Sequence, residues 1–227
     1  MTHTRIQIYT MQSPAEAHAI AALGVDHVGV TPSDRGLPGE VSIETAKDIC
    51  EAVGGLATSV ALSVEDDPET IIAMVRSVGP DVLHLCGLPG VVGPEMVKEI
   101  REELQGIGIM QAIAVTGPEA VDEALAYEPM VDYILLDSVD PSIAGVGAAG
   151  ITHDWEVSAA IVKATKVPVI LAGGLGPDNV VKAIESVQPW GVDSLTRTNR
   201  PLAGGGFRKD LDAVALFVAA VRGEGTG

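Results

Sequence analysis

Eight short apolar runs alternate with eight helix-like segments along the chain, and this alternation limits the possible folds more than any other feature. The predicted strands comprise residues 6–9, 27–30, 57–62, 82–85, 107–113, 133–136, 167–171 and 191–195. The predicted helices comprise residues 14–23, 43–53, 68–78, 94–104, 118–127, 155–165, 177–187 and 209–221. Strands that alternate with helices typically form a parallel sheet covered by helices. The pattern therefore predicts an α/β protein made of eight β–α units.

Eight such units in 227 residues fit the usual size of a (β/α)8 TIM barrel. Apolar residues make up 47% of the chain and aromatic residues only 3%, so the core must be aliphatic, which suits strands buried on both faces. A doubly wound open sheet is the alternative, but it usually has a glycine-rich first turn, and residues 9–13 contain no glycine. No linker divides the chain, so we expect one TIM-barrel domain over residues 1–227.

Five predicted helices share one kind of start, with proline at the first helical position. These prolines are Pro14, Pro68, Pro94, Pro118 and Pro177. Proline suits this position because its missing N–H needs no partner there, and a nearby acidic residue complements the helix dipole. We interpret the shared start as a weak internal repeat of one β–α unit.

The formal net charge of −17 at pH 7 limits the possible partners. We expect no nucleic-acid partner, because phosphate backbones bind to basic surfaces. An acidic protein that binds a phosphorylated small molecule must instead concentrate a few basic residues or backbone N–H groups at one place. The Arg and Lys residues near the ends of loops are therefore informative.

The cysteines and histidines show no spacing typical of metal ligands. Cys50 and Cys86 form no disulfide framework, and we expect His18, His27 and His153 at the surface or at helix caps. We therefore expect neither a metal nor a cofactor.

No signal peptide is visible, and the longest late apolar run is too short to span a bilayer. These features predict a cytoplasmic protein without a membrane partner.

The loops after strands seven and eight are the places where a TIM barrel commonly binds phosphate. The first loop contains Gly173 and Gly174, which leave backbone N–H groups open to an anion. The second contains Thr196, which can donate a hydroxyl hydrogen bond, and Arg197, which supplies positive charge. The alternative is that the glycines only form a tight turn. Their position on strand seven, before a basic loop, favours a phosphate site.

The same region resembles a known family. Residues 171–196 read LAGGLGPDNVVKAIESVQPWGVDSLT. This segment is similar to the Gly-Gly-Leu-x-Pro-x-Asn-Val and Pro-x-x-Val-Asp motifs of the phosphoribosylanthranilate isomerase family, which continue into a phosphate-binding Ser-Ser-Gly. Shorter similarities are found in YILLDS (133–138), GVGAAGITHDW (145–155) and PSDRG (32–36). Together they extend from residue 7 to residue 210, which is most of the chain.

The resemblance implies an enzyme of tryptophan biosynthesis that carries out an Amadori rearrangement of an aminated sugar phosphate. An acid opens the furanose ring to an imine, and a base then removes the C2 proton. Asp137 follows an apolar run at the barrel rim and is the predicted acid, with a turn-capping role as the alternative. Arg35 matches the arginine that holds the aromatic carboxylate of the substrate. Its alternative is an exposed loop residue.

The first strand departs from the family pattern. The family strand usually ends Lys-Ile-Cys-Gly, with cysteine as the general base, whereas this chain has Gln7, Ile8, Tyr9 and Thr10. Gln7 takes the lysine position and is a candidate substrate ligand. Tyr9 takes the cysteine position, and its reference pKa of about 10 keeps it protonated at neutral pH. It therefore suits hydrogen-bond donation better than proton abstraction, and an aromatic lid over the barrel core is an equally good interpretation.

The fourth strand departs as well, because it ends with His84, Leu85, Cys86 and Gly87 where the family usually has Gln-Leu-His-Gly. His84 and Cys86 are two residues apart, so they share one face of the strand, which we expect to point inward. A thiol beside an imidazolium is a credible base. Small buried cysteines are also common core residues, so both readings of Cys86 stay open.

Three functions follow from the sequence. The chain is a phosphoribosylanthranilate isomerase with a displaced base, a related isomerase or lyase with another phosphorylated substrate, or a non-catalytic barrel that binds a phosphorylated ligand. The lost cysteine and Arg197 in the phosphate motif favour the second over the first. In each case a homodimer is possible. We expect Tyr9, Asp137 and Arg35 to open into one cavity at the C-terminal face of the barrel.

Overall fold

A closed barrel of eight parallel strands forms the centre of the molecule in the computed structural model, which describes residues 3–139, 145–147 and 152–223. The strands are β1 (Arg5–Ile8), β2 (His27–Val30), β3 (Thr58–Ser63), β4 (Val82–Leu85), β5 (Gly108–Ala114), β6 (Tyr133–Asp137), β7 (Val169–Leu171) and β8 (Gly191–Ser194). The surrounding helices are α1 (Pro14–Ala22), α2 (Ile43–Val53), α3 (Pro68–Val78), α4 (Pro94–Glu103), α5 (Ala120–Tyr127), α6 (Trp155–Ala164), α7 (Val180–Val187) and α8 (Leu211–Arg222). This architecture confirms the predicted (β/α)8 TIM barrel.

The core has two parts. Aliphatic side chains fill the layer between the barrel and its helices, as the low aromatic content required. A smaller cluster fills the barrel interior and consists of Tyr9, Val60, Val82, Met110, Leu135, Ile170 and Ala172. Because this cluster fills the middle of the barrel, the space left for a ligand lies above it, at the C-terminal ends of the strands.

Asp26 fastens the two ends of the chain at the N-terminal face of the barrel. Its carboxylate accepts hydrogen bonds from the Arg5 side chain at 2.6 Å, the Ile6 backbone N–H at 2.9 Å and the Arg222 side chain at 2.9 Å. Burial acts to raise the pKa of Asp26, but these hydrogen bonds outweigh it and lower the pKa. The first strand and the last helix are thus held together by one ionised carboxylate.

His27 and the helix starts require corrections. His27 is buried, not at the surface as expected, and packs against Tyr133 and Trp190 inside the N-terminal end of the barrel. Helices α1, α3 and α4 begin at the predicted prolines. The two others begin later, at Ala120 in α5 and Val180 in α7, because turns separate their prolines from the first helical residue.

A hairpin that the sequence did not predict follows β8. Its strands are β9 (Asn199–Pro201) and β10 (Phe207–Lys209), which pair antiparallel. Helix α8 therefore begins at Leu211, after Lys209 has ended the hairpin. The strands have three residues each, too few for an alternating apolar pattern to be visible. No helix of the described part of the chain is long and apolar enough to cross a membrane.

Candidate active site

A cavity opens at the C-terminal ends of the barrel strands. Its polar lining comes from the C-terminal ends of five strands and the residues directly after them. These residues are Tyr9 and Thr10 after β1, Thr31 after β2, His84 and Cys86 at the end of β4, Asp137 at the end of β6, and Asp193 in β8. The apolar lining includes Leu37, Pro38, Leu62, Val64, Leu135, Val146 and Leu195. The position fits the rule that TIM-barrel sites lie at this face.

Asp137 is the last residue of β6 and its carboxyl group is buried in the cavity wall. Its Oδ1 accepts hydrogen bonds from the Ser138 backbone N–H at 2.7 Å and the Ser138 hydroxyl at 3.3 Å. Gly147 lies against its other oxygen, since a Cβ at that position would be 2.6 Å from Oδ2. Burial raises the pKa of Asp137 to about 7, more than the Ser138 hydrogen bonds lower it. The carboxyl group therefore holds a proton that it can donate near neutral pH.

Tyr9, His84 and Cys86 form a buried hydrogen-bonded chain across the barrel. The Tyr9 hydroxyl lies 2.9 Å from His84 Nδ1, and the Cys86 sulfur lies 3.1 Å from His84 Nε2. Burial raises the pKa of Tyr9 and of Cys86 well above the usual values, and burial lowers the pKa of His84 to about 3. All three groups are therefore neutral at pH 7, and the imidazole accepts a hydrogen bond on one side and donates one on the other.

Asp193 is a cavity residue that the sequence reasoning missed. It lies in β8 beside Gln7 of β1, and it is buried. Burial, followed by the charge of Asp137, raises the pKa of Asp193 to about 7, although Gln7 and Lys209 act in the opposite direction. The available signal was the Val-Asp of the quoted family motif, at the end of the last barrel strand. Carboxylates at this point of a TIM barrel are candidate site residues by position alone.

Gln7 is placed deeper in the barrel than a substrate ligand needs to be. Its amide oxygen lies 3.2 Å from Nδ1 of His27, and its amide nitrogen is 4.0 Å from the sulfur of Met110. Residue 7 does not line the cavity. Because side chains alternate between the faces of the barrel along a strand, Gln7 points inward one layer below Tyr9. Its role as a substrate ligand stays a prediction without support from this placement.

Arg35 lies outside the cavity. Its guanidinium is exposed and donates a hydrogen bond to Glu65 at 3.0 Å. The carboxylate of Glu40 holds the loop by accepting the backbone N–H groups of Gly36 and Leu37, both at 2.9 Å, and Leu37 reaches the cavity instead. Tyr9 and Asp137 thus share the cavity as expected, and Arg35 does not. Its role in substrate binding stays a prediction.

The candidate phosphate site lies between the ends of β7 and β8. Gly173 and Gly174 have φ angles of 85° and 61°, a conformation that favours glycine. Among the described residues, their N–H groups have no hydrogen-bond acceptor. Thr196 begins a short 3-10 turn, Thr196–Thr198, and is exposed. These positions leave backbone donors and one hydroxyl group open to an anion.

Arg197 is already engaged by a carboxylate. Its guanidinium donates to both oxygens of Asp178, each at 2.7 Å, and its side chain packs over Gly176. Its charge is therefore largely balanced, and a phosphate at this end must rely more on backbone N–H groups than the sequence suggested.

Within the described residues, no group of three or more His, Cys, Asp or Glu side chains could hold a metal ion. The quoted glycine-rich segment 145–155 is only partly described, since residues 148–151 lie outside the described ranges.

Comparisons with known proteins agree with the geometry. The family model of N-(5'phosphoribosyl)anthranilate (PRA) isomerase matches residues 6–195. The isomerase of Haloferax volcanii is 36% identical over 226 residues, covering 96% of this chain and 93% of the relative. The one of Methanocella arvoryzae is 32% identical over 219 residues, covering 96% and 98%. A crystal structure of phosphoribosyl anthranilate isomerase from Thermotoga maritima superposes with a TM-score of 0.79 at 26% identity, covering 97% of this chain and 99% of that one. The chain belongs to the N-(5'-phosphoribosyl)anthranilate isomerase family.

Proposed function

We propose that the protein is an aldose–ketose isomerase that rearranges a phosphorylated aldosylamine to the corresponding aminoketose by general acid–base catalysis. Curated relatives over nearly the whole chain are named N-(5'-phosphoribosyl)anthranilate isomerase. One family structure contains reduced 1-(o-carboxyphenylamino)-1-deoxyribulose 5-phosphate, a phosphorylated open-chain sugar derivative. The proposal places the enzyme in tryptophan biosynthesis and in the cytoplasm. A homodimer belongs to the same proposal, because the family member from Thermotoga maritima is described as dimeric.

The observation that carries the proposal is the position and protonation of Asp137. Ring opening requires an acid that can protonate the furanose oxygen while the sugar is bound. Asp137 lines the cavity, and burial raises its pKa to about 7, so a useful fraction remains protonated at neutral pH. The positive-φ glycines at the end of β7 supply the anchor that positions the sugar phosphate relative to this acid.

The order of events follows from these placements. Asp137 gives its proton to the ring oxygen as the C1–O bond breaks, and the nitrogen lone pair forms a C=N bond. A base then removes the C2 proton, which gives an enolamine that becomes the ketone when C1 is protonated and the enol oxygen loses its proton. The sequence of steps uses no redox cofactor, because the sugar is oxidised at C2 and reduced at C1 within one molecule.

A second candidate is a related isomerase whose substrate lacks the aromatic carboxylate. It is favoured by the position of Arg35, which pairs with Glu65 outside the cavity. Leu37, Pro38 and Val64 line the cavity on the side of the β2 and β3 loops. A phosphorylated aldosylamine with an uncharged apolar substituent would match this lining better than one with a carboxylate.

The proposal is tested with phosphoribosylanthranilate, whose conversion is followed by the loss of anthranilate-type fluorescence. The wild-type protein should convert it more slowly than relatives that keep the strand-one cysteine, because a base at another position is less well aligned with the C2 proton. Tyr9→Cys restores the family residue and should raise the rate, whereas Asp137→Asn should abolish it. Cys86→Ser tests whether the thiol contributes. A rate that is unchanged in Asp137→Asn would contradict the assignment of the acid. No rate even in Tyr9→Cys would favour the second candidate.

A further inference from the structure

We propose that Asp193 is the general base of this protein and takes over the proton abstraction that the family assigns to the strand-one cysteine. This inference rests on the proposed isomerase function and adds the missing half of its acid–base pair. Asp193 lines the same cavity as Asp137 and Tyr9. It lies in β8, directly beside the strand that lost the cysteine, since Gln7 pairs with Asp193 and Ile8 with Ser194.

The carboxylate of Asp193 has unused hydrogen-bonding capacity. The residue is 7% exposed, and among the described residues its Oδ1 has no hydrogen-bond partner. A buried acceptor without a donor costs about 1–3 kcal/mol, so structural packing alone would not favour a carboxylate there. The other buried polar atom of the cavity lining without a partner in the described chain is Thr10 Oγ1. Both atoms remain available to a ligand.

The other candidate bases are already satisfied. The Tyr9 hydroxyl and the Cys86 sulfur each contact a ring nitrogen of His84, at 2.9 and 3.1 Å. Burial raises the pKa of the phenol and of the thiol, and it lowers the pKa of the imidazole to about 3. Two of these groups therefore carry their proton at pH 7 and the third is a very weak base. A carboxylate with a raised pKa matches the task better.

The charged and titratable groups around Asp193 come from several elements. Asp137 of β6, Tyr9 after β1 and Cys86 after β4 interact with it electrostatically, and so does Lys209 of β10. The charge of Asp137 helps to raise the pKa of Asp193, and both carboxyl groups have a pKa of about 7, so molecules with one of the two protonated are common near that pH. The singly protonated pair contains one acid and one base at the same time. That is the protonation state that the rearrangement needs.

The proton movements balance within this pair. Asp137 protonates the ring oxygen as the C1–O bond breaks. The Asp193 carboxylate then takes the C2 proton, the C2–H electrons form the C1=C2 bond, and the C=N electrons return to nitrogen. Asp193 passes its proton to C1 while the enol oxygen returns a proton to Asp137. Both carboxyl groups end in their starting states, and the sugar has been isomerised without any other reactant.

The kinetic test compares Asp193→Asn, Asp193→Glu and the control Asp67→Asn, which removes an exposed carboxylate from the start of α3. With phosphoribosylanthranilate, Asp193→Asn should lower kcat about 10²–10⁴-fold, Asp193→Glu should recover part of it, and Asp67→Asn should change nothing. Binding of reduced 1-(o-carboxyphenylamino)-1-deoxyribulose 5-phosphate, measured by calorimetry, should be similar in all variants. Adding Tyr9→Cys to Asp193→Asn should restore turnover, because the cysteine supplies a substitute base.

The pH test uses both activity and stability. For the wild-type protein, kcat/KM should be highest near pH 7. It should decrease at lower pH, where Asp193 gains a proton, and at higher pH, where Asp137 loses one. In Asp193→Asn, the decrease at low pH should disappear and the decrease at high pH should remain. The folded pKa of about 7 lies above the unfolded value, so ionisation of Asp193 lowers the stability as pH rises from about 4 to 7. The thermal midpoint of Asp193→Asn should therefore exceed that of wild type at pH 8 and not at pH 4.

The outcomes separate this inference from the proposed function. An unchanged kcat in Asp193→Asn, a loss of analogue binding that parallels the loss of kcat, or no rescue by Tyr9→Cys would overturn Asp193 as the base. Binding of the analogue without any turnover by the wild-type protein would also overturn it and would leave the ligand site intact. Failure of the wild-type protein to bind the analogue at all would remove the proposed function, and the inference with it.

Discussion

The ring of Tyr9 lies directly against Gly29 of the neighbouring strand β2. A Cβ atom built on Gly29 would overlap Cδ1, Cε1 and Cγ of the ring, so residue 29 has no room for a side chain while the tyrosine is present. The hydroxyl at the other end of the ring is held by His84. At the residue scale, the replacement of the family cysteine by tyrosine is thus accommodated by one glycine below the ring and one histidine at its tip.

A double-mutant cycle tests this pairing. Gly29→Ala should destabilise the protein by about 1–3 kcal/mol, because overpacking displaces the ring. In the Tyr9→Cys background the ring is absent, so the same substitution should cost much less, with a coupling of at least about 1 kcal/mol. Urea unfolding gives the four free energies. Gly204→Ala, at a position without neighbours within 4 Å, is the control. Equal costs of Gly29→Ala in both backgrounds would show that the ring is not what excludes the side chain.

The individual site residues differ in how far the sequence could reveal them. Asp137 was found because it ends an apolar strand, and strand ends in a TIM barrel face the site. Asp193 is the second-last residue of its strand, but its raised pKa comes from burial and from the charge of Asp137, which is distant in sequence. The contact between Tyr9 and His84 spans the barrel interior. A sequence indicates which side chains point to the same face of a strand. Whether two side chains meet across the barrel depends instead on the distance between their strands in the folded protein.

At the scale of elements, the alternation of apolar runs and helical segments was sufficient to predict all eight barrel strands and their helices. Strands β2 and β4 and helices α2 and α3 have the predicted bounds. The errors occur where local hydrogen bonds compete with a simple pattern. The backbone N–H of Gly176 donates to the Asn179 side chain, so a turn precedes α7 and Pro177 is not its first residue. The β9–β10 hairpin lacks any periodic signal.

Lys209 connects this hairpin to the end of β8. Its ammonium group is buried and donates to the Asn199 side chain at 2.6 Å and to the Leu195 carbonyl at 3.1 Å. Lys209→Met keeps the length of the side chain and removes these bonds. We expect faster amide hydrogen exchange in Asn199 and Arg200 and weaker binding of inorganic phosphate, because the turn that carries Thr196 is no longer held.

The matched control for this prediction is Arg208→Met, which removes one positive charge from the exposed neighbour in the same strand. Hydrogen exchange followed by mass spectrometry and phosphate titration followed by calorimetry should distinguish the two variants. If both lose phosphate affinity equally while the hairpin exchanges at the wild-type rate, then general positive charge matters and the anchoring role of Lys209 is wrong.

At the scale of the whole molecule, two opposing electrostatic effects contribute to stability. Ion pairs join distant parts of the chain, as Asp26 does by pairing with both Arg5 and Arg222. The chain has 31 acidic residues against 14 lysines and arginines, so its carboxylates outnumber the cations that could pair with them. Exposed ion pairs contribute only about 0–1 kcal/mol each. We therefore expect the repulsion that arises from a net charge of −17 to exceed the attraction within the exposed ion pairs. Salt screens both.

The last prediction is that salt stabilises this protein. The Debye length falls from about 10 Å at 0.1 M to about 3 Å at 1 M, which screens repulsion between exposed carboxylates but affects buried groups much less. The thermal midpoint should therefore rise as KCl increases over this range. Glu99 and Glu102 are exposed one turn apart on α4, and replacing both with glutamine should raise the midpoint at low salt and reduce its slope with KCl. Sucrose controls for general effects of a cosolute, because it stabilises folded proteins without screening charge. A midpoint that falls with KCl would mean that the ion pairs around Asp26 outweigh the repulsion, and the fold would then depend on attraction between its termini.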